Sequence, residues 1–289
     1  QQALGVRVVR PVVERGKVHL SIVSALMLFL SLSLVAPNAA SAACGARVGA
    51  AAAAATTTVW LAGDSTMASP SSTCPVGWGT EFDSLFHSNI VVNNLAVAGR
   101  SIQTWLYEGN VTSTIGSNGE CVLSSTTYSS RWQQVLTGMK AGDYLFIQFG
   151  INDGSTTCPR HVGTARYQQL MTTMAQAALA RGAHPILLTA VAAITCSGGT
   201  AVKNRGFVTQ TNAAGAATGS PVIDLQTLSV DYYNSLGLCP NNGDYTSGPL
   251  GQFFCNDHTH FEAYGARRIA RLVTGALRTQ NIPLAGSLL

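Results

Sequence analysis

From Val59 to the end of the chain, short apolar runs alternate with stretches whose apolar residues recur at helical spacing. The runs cover residues 59–62, 90–97, 144–149, 185–191 and 221–225, and each is bounded by Gly, Asp or Pro. Short runs that are apolar at consecutive positions fit strands buried on both faces of a parallel sheet. Between the third and fourth, Tyr167, Leu170, Met171, Met174, Ala177 and Ala178 fall on one helical face, with Gly182 as the stop. Phe261, Gly265, Ile269, Leu272 and Ala276 form a face of a final helix, and Arg267, Arg271 and Arg278 lie off it as a solvated side. This βαβα rhythm predicts an α/β fold, a three-layer α/β/α flavodoxin-like doubly wound sheet of about five parallel strands. A site would then lie outside the carboxyl ends of the strands.

Upstream of Val59 the pattern differs. A basic segment up to Lys17 precedes an apolar stretch over residues 19–36, and Ala40 and Ala42 supply an A-x-A cleavage pattern. Residues 1–42 therefore read as a signal peptide cleaved after Ala42. A signal anchor is the competing reading, because the apolar stretch is just long enough to span a bilayer. Residues 43–57 read as an Ala/Thr-rich linker and 58–289 as the domain.

Charge adds little to this picture. Of the formal net charge of +4, most belongs to the leader, where Arg7, Arg10, Arg15 and Lys17 face only Glu14. The remainder is nearly neutral, so neither a nucleic-acid patch nor an anionic-membrane surface is indicated. Charged residues make up only 10% of the chain against 46% apolar, which with abundant Ser, Thr, Ala and Gly fits a secreted surface. All seven cysteines lie beyond the cleavage site, enough for three disulfides with one left over. Cys239–Cys255 is the expected pair, since it would tie the loop leading into Asp257. The absence of any C-x-x-C spacing argues against a zinc or redox motif, and no cofactor is expected. Asn110-Val111-Thr112 is a glycosylation sequon.

Candidate chemistry clusters at the ends of the predicted strands. Ser65 follows the first run in a Gly-Asp-Ser turn where a helix could begin, which would place its hydroxyl near backbone N–H groups and a helix dipole. Taken alone, that tripeptide reads as a helix cap. His260 is the candidate base, because a serine hydroxyl needs a base within hydrogen-bond reach. Asp257, three residues before it, would orient the imidazole and stabilise its charged form. His258 is the rival base, but one residue from Asp257 it would point elsewhere. Gly99 after the second run and Asn152 after the third are candidate oxyanion donors. His87, His161 and His184 have no ligand-like partners, and no metal is expected. Trp78 and Trp105 fall in predicted rim loops where they could stack on a sugar, whereas Trp60 and Trp132 read as core. Arg100 or Arg160 could hold a substrate carboxylate.

Four blocks carry a family resemblance. They are Ala62-Gly63-Asp64-Ser65-Thr66-Met67-Ala68, Asn93-Asn94 through Ala98-Gly99-Arg100-Ser101, Phe149-Gly150-Ile151-Asn152-Asp153-Gly154, and Asn256-Asp257-His258-Thr259-His260. Together they resemble the SGNH (GDSL-type) hydrolase superfamily, and most of all its rhamnogalacturonan acetylesterase-like branch. The resemblance implies metal-free serine esterase chemistry, with Ser65 as nucleophile and Asp257 and His260 completing the triad. Gly99 and Asn152 would share the oxyanion hole with Ser65. The implied activity is removal of acetyl groups from plant cell-wall polysaccharide of the pectin or rhamnogalacturonan type. A secreted monomer is the expectation, with no nucleic-acid partner and no membrane contact after signal cleavage. A broad esterase or lipase of the same superfamily, or a non-catalytic wall-binding protein, are the alternatives. Two features depart from the branch: Ile151 stands where a His is common, and residues 196–204 form an insertion.

Overall fold

A computed structural model describes residues 56–239 and 244–289. The expected signal peptide or anchor, nearly all of the linker, and Cys44 lie outside the described residues.

Five parallel strands form the central sheet: β1 (Thr57–Gly63), β2 (Ile90–Asn94), β3 (Tyr144–Gln148), β4 (His184–Leu188) and β5 (Val222–Ile223). Their order is β2-β1-β3-β4-β5, the flavodoxin-like arrangement. Alternation along each strand feeds two separate cores. Val59, Leu61, Phe146, Ile186, Leu188 and Ile223 face one side. Trp60, Ala62, Leu145, Ile147 and Leu187 face the other. Burial on both faces is why the runs read as continuously apolar.

Helices cover both sides. α1 (Ile102–Leu106), α2 (Ser130–Gly138), α3 (Thr164–Leu179) and α4 (Val208–Thr218) pack on the Trp60 face. α5 (Leu225–Ser235), α6 (Gly248–Phe253) and α7 (Ala263–Thr279) pack on the Val59 face. Arg267, Arg271 and Arg278 are exposed on α7, as a solvated side should be. Among the described residues no helix is long and apolar enough to cross a membrane.

Several expectations are corrected. β1 begins at Thr57, the last residue assigned to the linker. The run at 90–97 is a strand only to Asn94, whose side chain accepts from Ala96 N–H and donates to the Met67 carbonyl, turning the chain. Leu95 and Val97 nonetheless keep donating to the Leu61 and Gly63 carbonyls, which is why the run looked longer. The run at 221–225 ends after Ile223 because Asp224 caps α5, accepting from Thr227 N–H. Trp78 and Trp105 are fully buried and cannot serve as sugar platforms. Their indoles donate to Gln148 and to the Leu95 carbonyl.

Disulfides join Cys74–Cys255, Cys121–Cys158 and Cys196–Cys239, so the Cys239–Cys255 pairing is overturned. The reason is tertiary. An antiparallel bridge between Phe254 and Phe261, and a bond from Val76 N–H to the Phe261 carbonyl, lay Cys255 beside Cys74. Cys239, after α5, instead meets the small hairpin Cys196–Ser197/Thr200–Ala201, which Asn234 of α5 bonds at Ala201. That hairpin is the insertion noted in the sequence.

Candidate active site

Ser65 is placed by a turn, not by a helix N-terminus. The Asp64 carbonyl accepts from Met67 and Ala68 N–H at 3.1 and 3.0 Å, and no α-helix follows. A buried chain of polar groups pins this turn to the sheet. The Trp78 indole donates to Gln148 Oε1 at 2.8 Å, and Gln148 Nε2 donates to Thr66 Oγ1 at 2.7 Å. Thr66 Oγ1 in turn donates to Asp64 Oδ1 at 2.7 Å, and Thr66 N–H does so at 2.9 Å. Burial pushes the Asp64 carboxyl above its ordinary range despite the two bonds from Thr66 and the nearby charges of Arg205 and His260.

The candidate base arrives from the far end of the chain. Ser65 Oγ lies 2.7 Å from His260 Nε2, and His260 Nδ1 lies 2.5 Å from Asp257 Oδ2. Asp257 Oδ1 also accepts from the N–H groups of Thr259 and His260 at 3.0 and 2.9 Å, so one carboxylate shapes the turn and orients the ring. Desolvation alone would raise the Asp257 carboxyl. The His260 backbone N–H, the imidazole and the Thr259 N–H outweigh it, and the group lies below the usual carboxylate range. An ionised Asp257 accepts only, so Nδ1 carries the proton and Nε2 is left to accept from the serine. His258, at φ 66, turns its ring onto Tyr245, and its carbonyl accepts from Ile194 N–H. The rival base therefore faces away.

Gly99 and Asn152 flank Ser65 because their strands flank β1. Val97 N–H bonds Gly63 O, and Gly63 pairs with Gln148 in register, so the segments leaving β2, β1 and β3 run side by side. Gly99 adopts φ 74, a conformation that favours glycine, and open space surrounds the point where a Cβ would stand. Among the described residues, no backbone group accepts from the Ser65 or Gly99 N–H. Asn152 Nδ2 donates to the Arg100 carbonyl at 3.1 Å, which sets the amide's orientation, and its Oδ1 lies 3.4 Å from Arg160 Nη1.

Asp153, which the sequence reading quoted but gave no role, clamps these two loops. Its carboxylate accepts from Ile102 N–H at 2.8 Å and Gly150 N–H at 2.9 Å, bridging the segments that carry Gly99 and Asn152. Burial pushes it up to about 7 against those two bonds. The available signal was an acidic residue next to Asn152 in the segment that follows a fully buried strand. Arg205 was also missed, and no local pattern marks it. Its Nε donates to the Val191 carbonyl, and its charge acts on Asp64 and Asp257. His87, His161 and His184 lie outside this group: His161 bonds the Ser155 carbonyl and His184 packs on Tyr144. Among the described residues one cluster has metal-ligand spacing, Cys74, Cys255 and Glu262, and a disulfide already joins its two sulfurs.

A carbonyl carbon brought to Ser65 Oγ would meet a hydroxyl paired with a base, beside N–H groups able to hold a developing oxyanion. The profile of the family described as GDSL-like Lipase/Acylhydrolase matches residues 59–273. The chain belongs to that family. This GDSL-like protein is thus a carboxylic ester hydrolase. It is 28% identical over 235 residues to the probable rhamnogalacturonan acetylesterase YesY of Bacillus subtilis (strain 168), covering 80% of this chain and 97% of the relative. It is 29% identical over 244 residues to the rhamnogalacturonan acetylesterase RhgT of the same strain, covering 78% and 91%. Among solved structures it resembles YxiM of Bacillus subtilis with a TM-score of 0.63 at 26% identity, covering 79% of this GDSL-like chain and 58% of the YxiM chain. The chain thus spans little more than half of that structure.

Proposed function

We propose that the protein is a secreted serine esterase that removes acetyl groups from plant cell-wall polysaccharide of the pectin or rhamnogalacturonan type. The observation that carries this reading is the hydrogen-bonded row from Ser65 through His260 to Asp257. Ser65 Oγ attacks the acetyl carbonyl while its proton passes to His260 Nε2. The Ser65 and Gly99 N–H groups and the Asn152 amide hold the oxygen as it becomes negative. His260 then protonates the departing sugar oxygen, leaving an acetyl-enzyme. Water, deprotonated by the same imidazole, attacks that ester, and acetate leaves as the proton returns to Ser65. Asp257 stabilises the imidazolium formed in each half.

The names of YesY and RhgT support the acetyl and polysaccharide assignments. The three disulfides support secretion, since such bonds persist in oxidising compartments. The polar wall beside Gly99, which includes Arg100, Glu108 and Arg160, suits a sugar better than a long acyl chain and disfavours the lipase alternative.

Acetate release from acetylated pectin, acetylated xylan, and acetyl and octanoyl p-nitrophenyl esters tests the proposal in wild type and Ser65→Ala. Release from pectin that disappears in the variant, with acetyl preferred to octanoyl, is the expected outcome. Octanoyl preference, or acetate release that survives Ser65→Ala, would sink it.

A further inference from the structure

A cavity of about 330 Å³ opens beside Gly99, bounded by Arg100, Glu108 and Val111 and by Pro159 and Arg160. That volume is within the range of small-ligand sites, about 300–1,000 Å³. Its charges do not balance. Glu108 is the one acid in the wall, and it accepts from both Arg100 and Arg131. Shared between two guanidinium groups, its carboxyl stays below the ordinary range although burial alone would raise it. Arg160 has no carboxylate partner among the described residues; its Nη1 reaches only Asn152 Oδ1, at 3.4 Å. Glu120, in the turn of the antiparallel hairpin Val111–Ile115/Cys121–Leu123, accepts from Gly163 N–H at 3.0 Å. In a chain with 10% charged residues, this cavity is therefore lined by two guanidinium groups, Arg100 and Arg160, against one carboxylate that Arg131 also neutralises from outside the lining.

An exposed arginine is ordinarily just solvated, so placement has to carry the argument. Arg160 sits two residues after Cys158, which a disulfide ties to Cys121 in the strand Cys121–Leu123, so its backbone is anchored. Its guanidinium touches the side chain of Asn152, whose amide is the candidate oxyanion donor. An acetyl carbonyl held between Gly99 and Asn152 would put the neighbouring part of the sugar in this cavity. The planar fork of an arginine matches a carboxylate with two parallel hydrogen bonds, and this guanidinium is not already spent on an acid.

We propose that Arg160 is the residue that selects acidic over neutral polysaccharide, pairing with the carboxylate of a uronic acid at or beside the acetylated sugar. This inference rests on the esterase reading above and names the residue that sets its substrate class. The test compares kcat and KM on an acetylated polygalacturonate-type pectin and on acetylated xylan, for wild type, Arg160→Gln and Arg160→Lys, at low and high sodium chloride.

Arg160→Gln is expected to raise KM on the acidic polymer about five- to tenfold, the scale of a partly exposed ion pair. The effect on xylan should be much smaller, and Arg160→Lys should recover part of the loss. Added salt should erode the acidic preference of wild type and leave the Gln variant nearly unaffected. An unchanged acidic-to-neutral ratio of kcat/KM in Arg160→Gln overturns the assignment. So does an equal loss of kcat on both polymers and on p-nitrophenyl acetate, which would make Arg160 a positioning residue for Asn152. Failure of wild type to release acetate from either polymer would overturn the esterase reading itself, and this inference with it.

Discussion

Ser65 is buried on a turn wired to the sheet through Thr66, Gln148 and Trp78, whereas the Asp257 side chain is 52% exposed on a loop with no sheet strand beneath it. The two meet through His260, yet they are held by different means. Ser65, Gly99 and Asn152 inherit their positions from three adjacent strand ends. The loop bearing Asp257 and His260 is fastened from outside the sheet, by Cys74–Cys255, the Phe254–Phe261 bridge and the bond from Val76 to Phe261. Their electrostatics also run in opposite directions. Asp64 and Asp153 on the strand side are pushed up by burial, while Asp257 on the loop is held down by its hydrogen bonds. A rigid scaffold can thus place the proposed nucleophile and its donors, while a late loop needs cross-links to deliver the proposed base.

The sharpest way to break that picture is to remove the loop's chemistry. His260→Ala or Asp257→Ala should lower kcat on p-nitrophenyl acetate by about 10⁴-fold or more, the scale seen when a member of a serine triad is lost. A loss below tenfold would mean that the exposed loop is not where the base resides. On the strand side, Asn152→Ala should cost about 10²–10³-fold in kcat with KM nearly unchanged, as for one oxyanion donor. A change confined to KM would assign Asn152 to ground-state binding instead.

Replacing Cys74 and Cys255 together by Ser tests the fastening itself. The bond spans 181 residues, and loop entropy on that scale is worth about 5 kcal/mol. Activity is expected to fall at a lower urea concentration than the circular dichroism of the sheet and helices. Coincident transitions would show instead that the loop and the sheet unfold as one unit.

The smallest effects are in pH dependence, where the two sides should differ in sign. Asp153, raised to about 7, binds its proton more tightly in the folded protein than in the unfolded one. Its contribution is therefore complete below the ordinary carboxyl value and declines as pH rises towards 7, by at most about 4 kcal/mol. Asp257, lowered, contributes above the ordinary value and loses that contribution as pH falls through its folded one. Urea midpoints from pH 4 to 8 should accordingly fall less steeply for Asp153→Asn than for wild type. Asp257→Asn should flatten only the acid end. Parallel profiles for both variants would erase the distinction.

How much of this was legible beforehand depends on the range over which each feature is encoded. The five apolar runs mark the strands because burial on both faces shows at neighbouring positions, and Tyr167 to Ala178 mark a helix for the same local reason. Strand ends were blurred where backbone bonding outlasts the strand, as at Leu95 and Val97, or where a cap intervenes, as at Asp224. Asp257 and His260 were legible as a pair because three residues on a tight turn suffice to join them. Trp78 and Trp105 were misplaced because loop position in sequence says nothing about which partner, Gln148 or the Leu95 carbonyl, draws an indole inward.

By itself, then, the sequence determined the α/β rhythm, the order of the four blocks and the identity of the groups at Ser65, Gly99, Asn152, Asp257 and His260. Only the tertiary structure decided that Cys255 pairs with Cys74, that Asp153 clamps two loops, that Arg205 lends its charge to Asp64 and Asp257, and that His258 turns away. Periodicity and capping are short-range effects written into neighbouring residues. Pairing across 181 residues, and the field at a buried carboxylate, depend on which segments packing brings together in space.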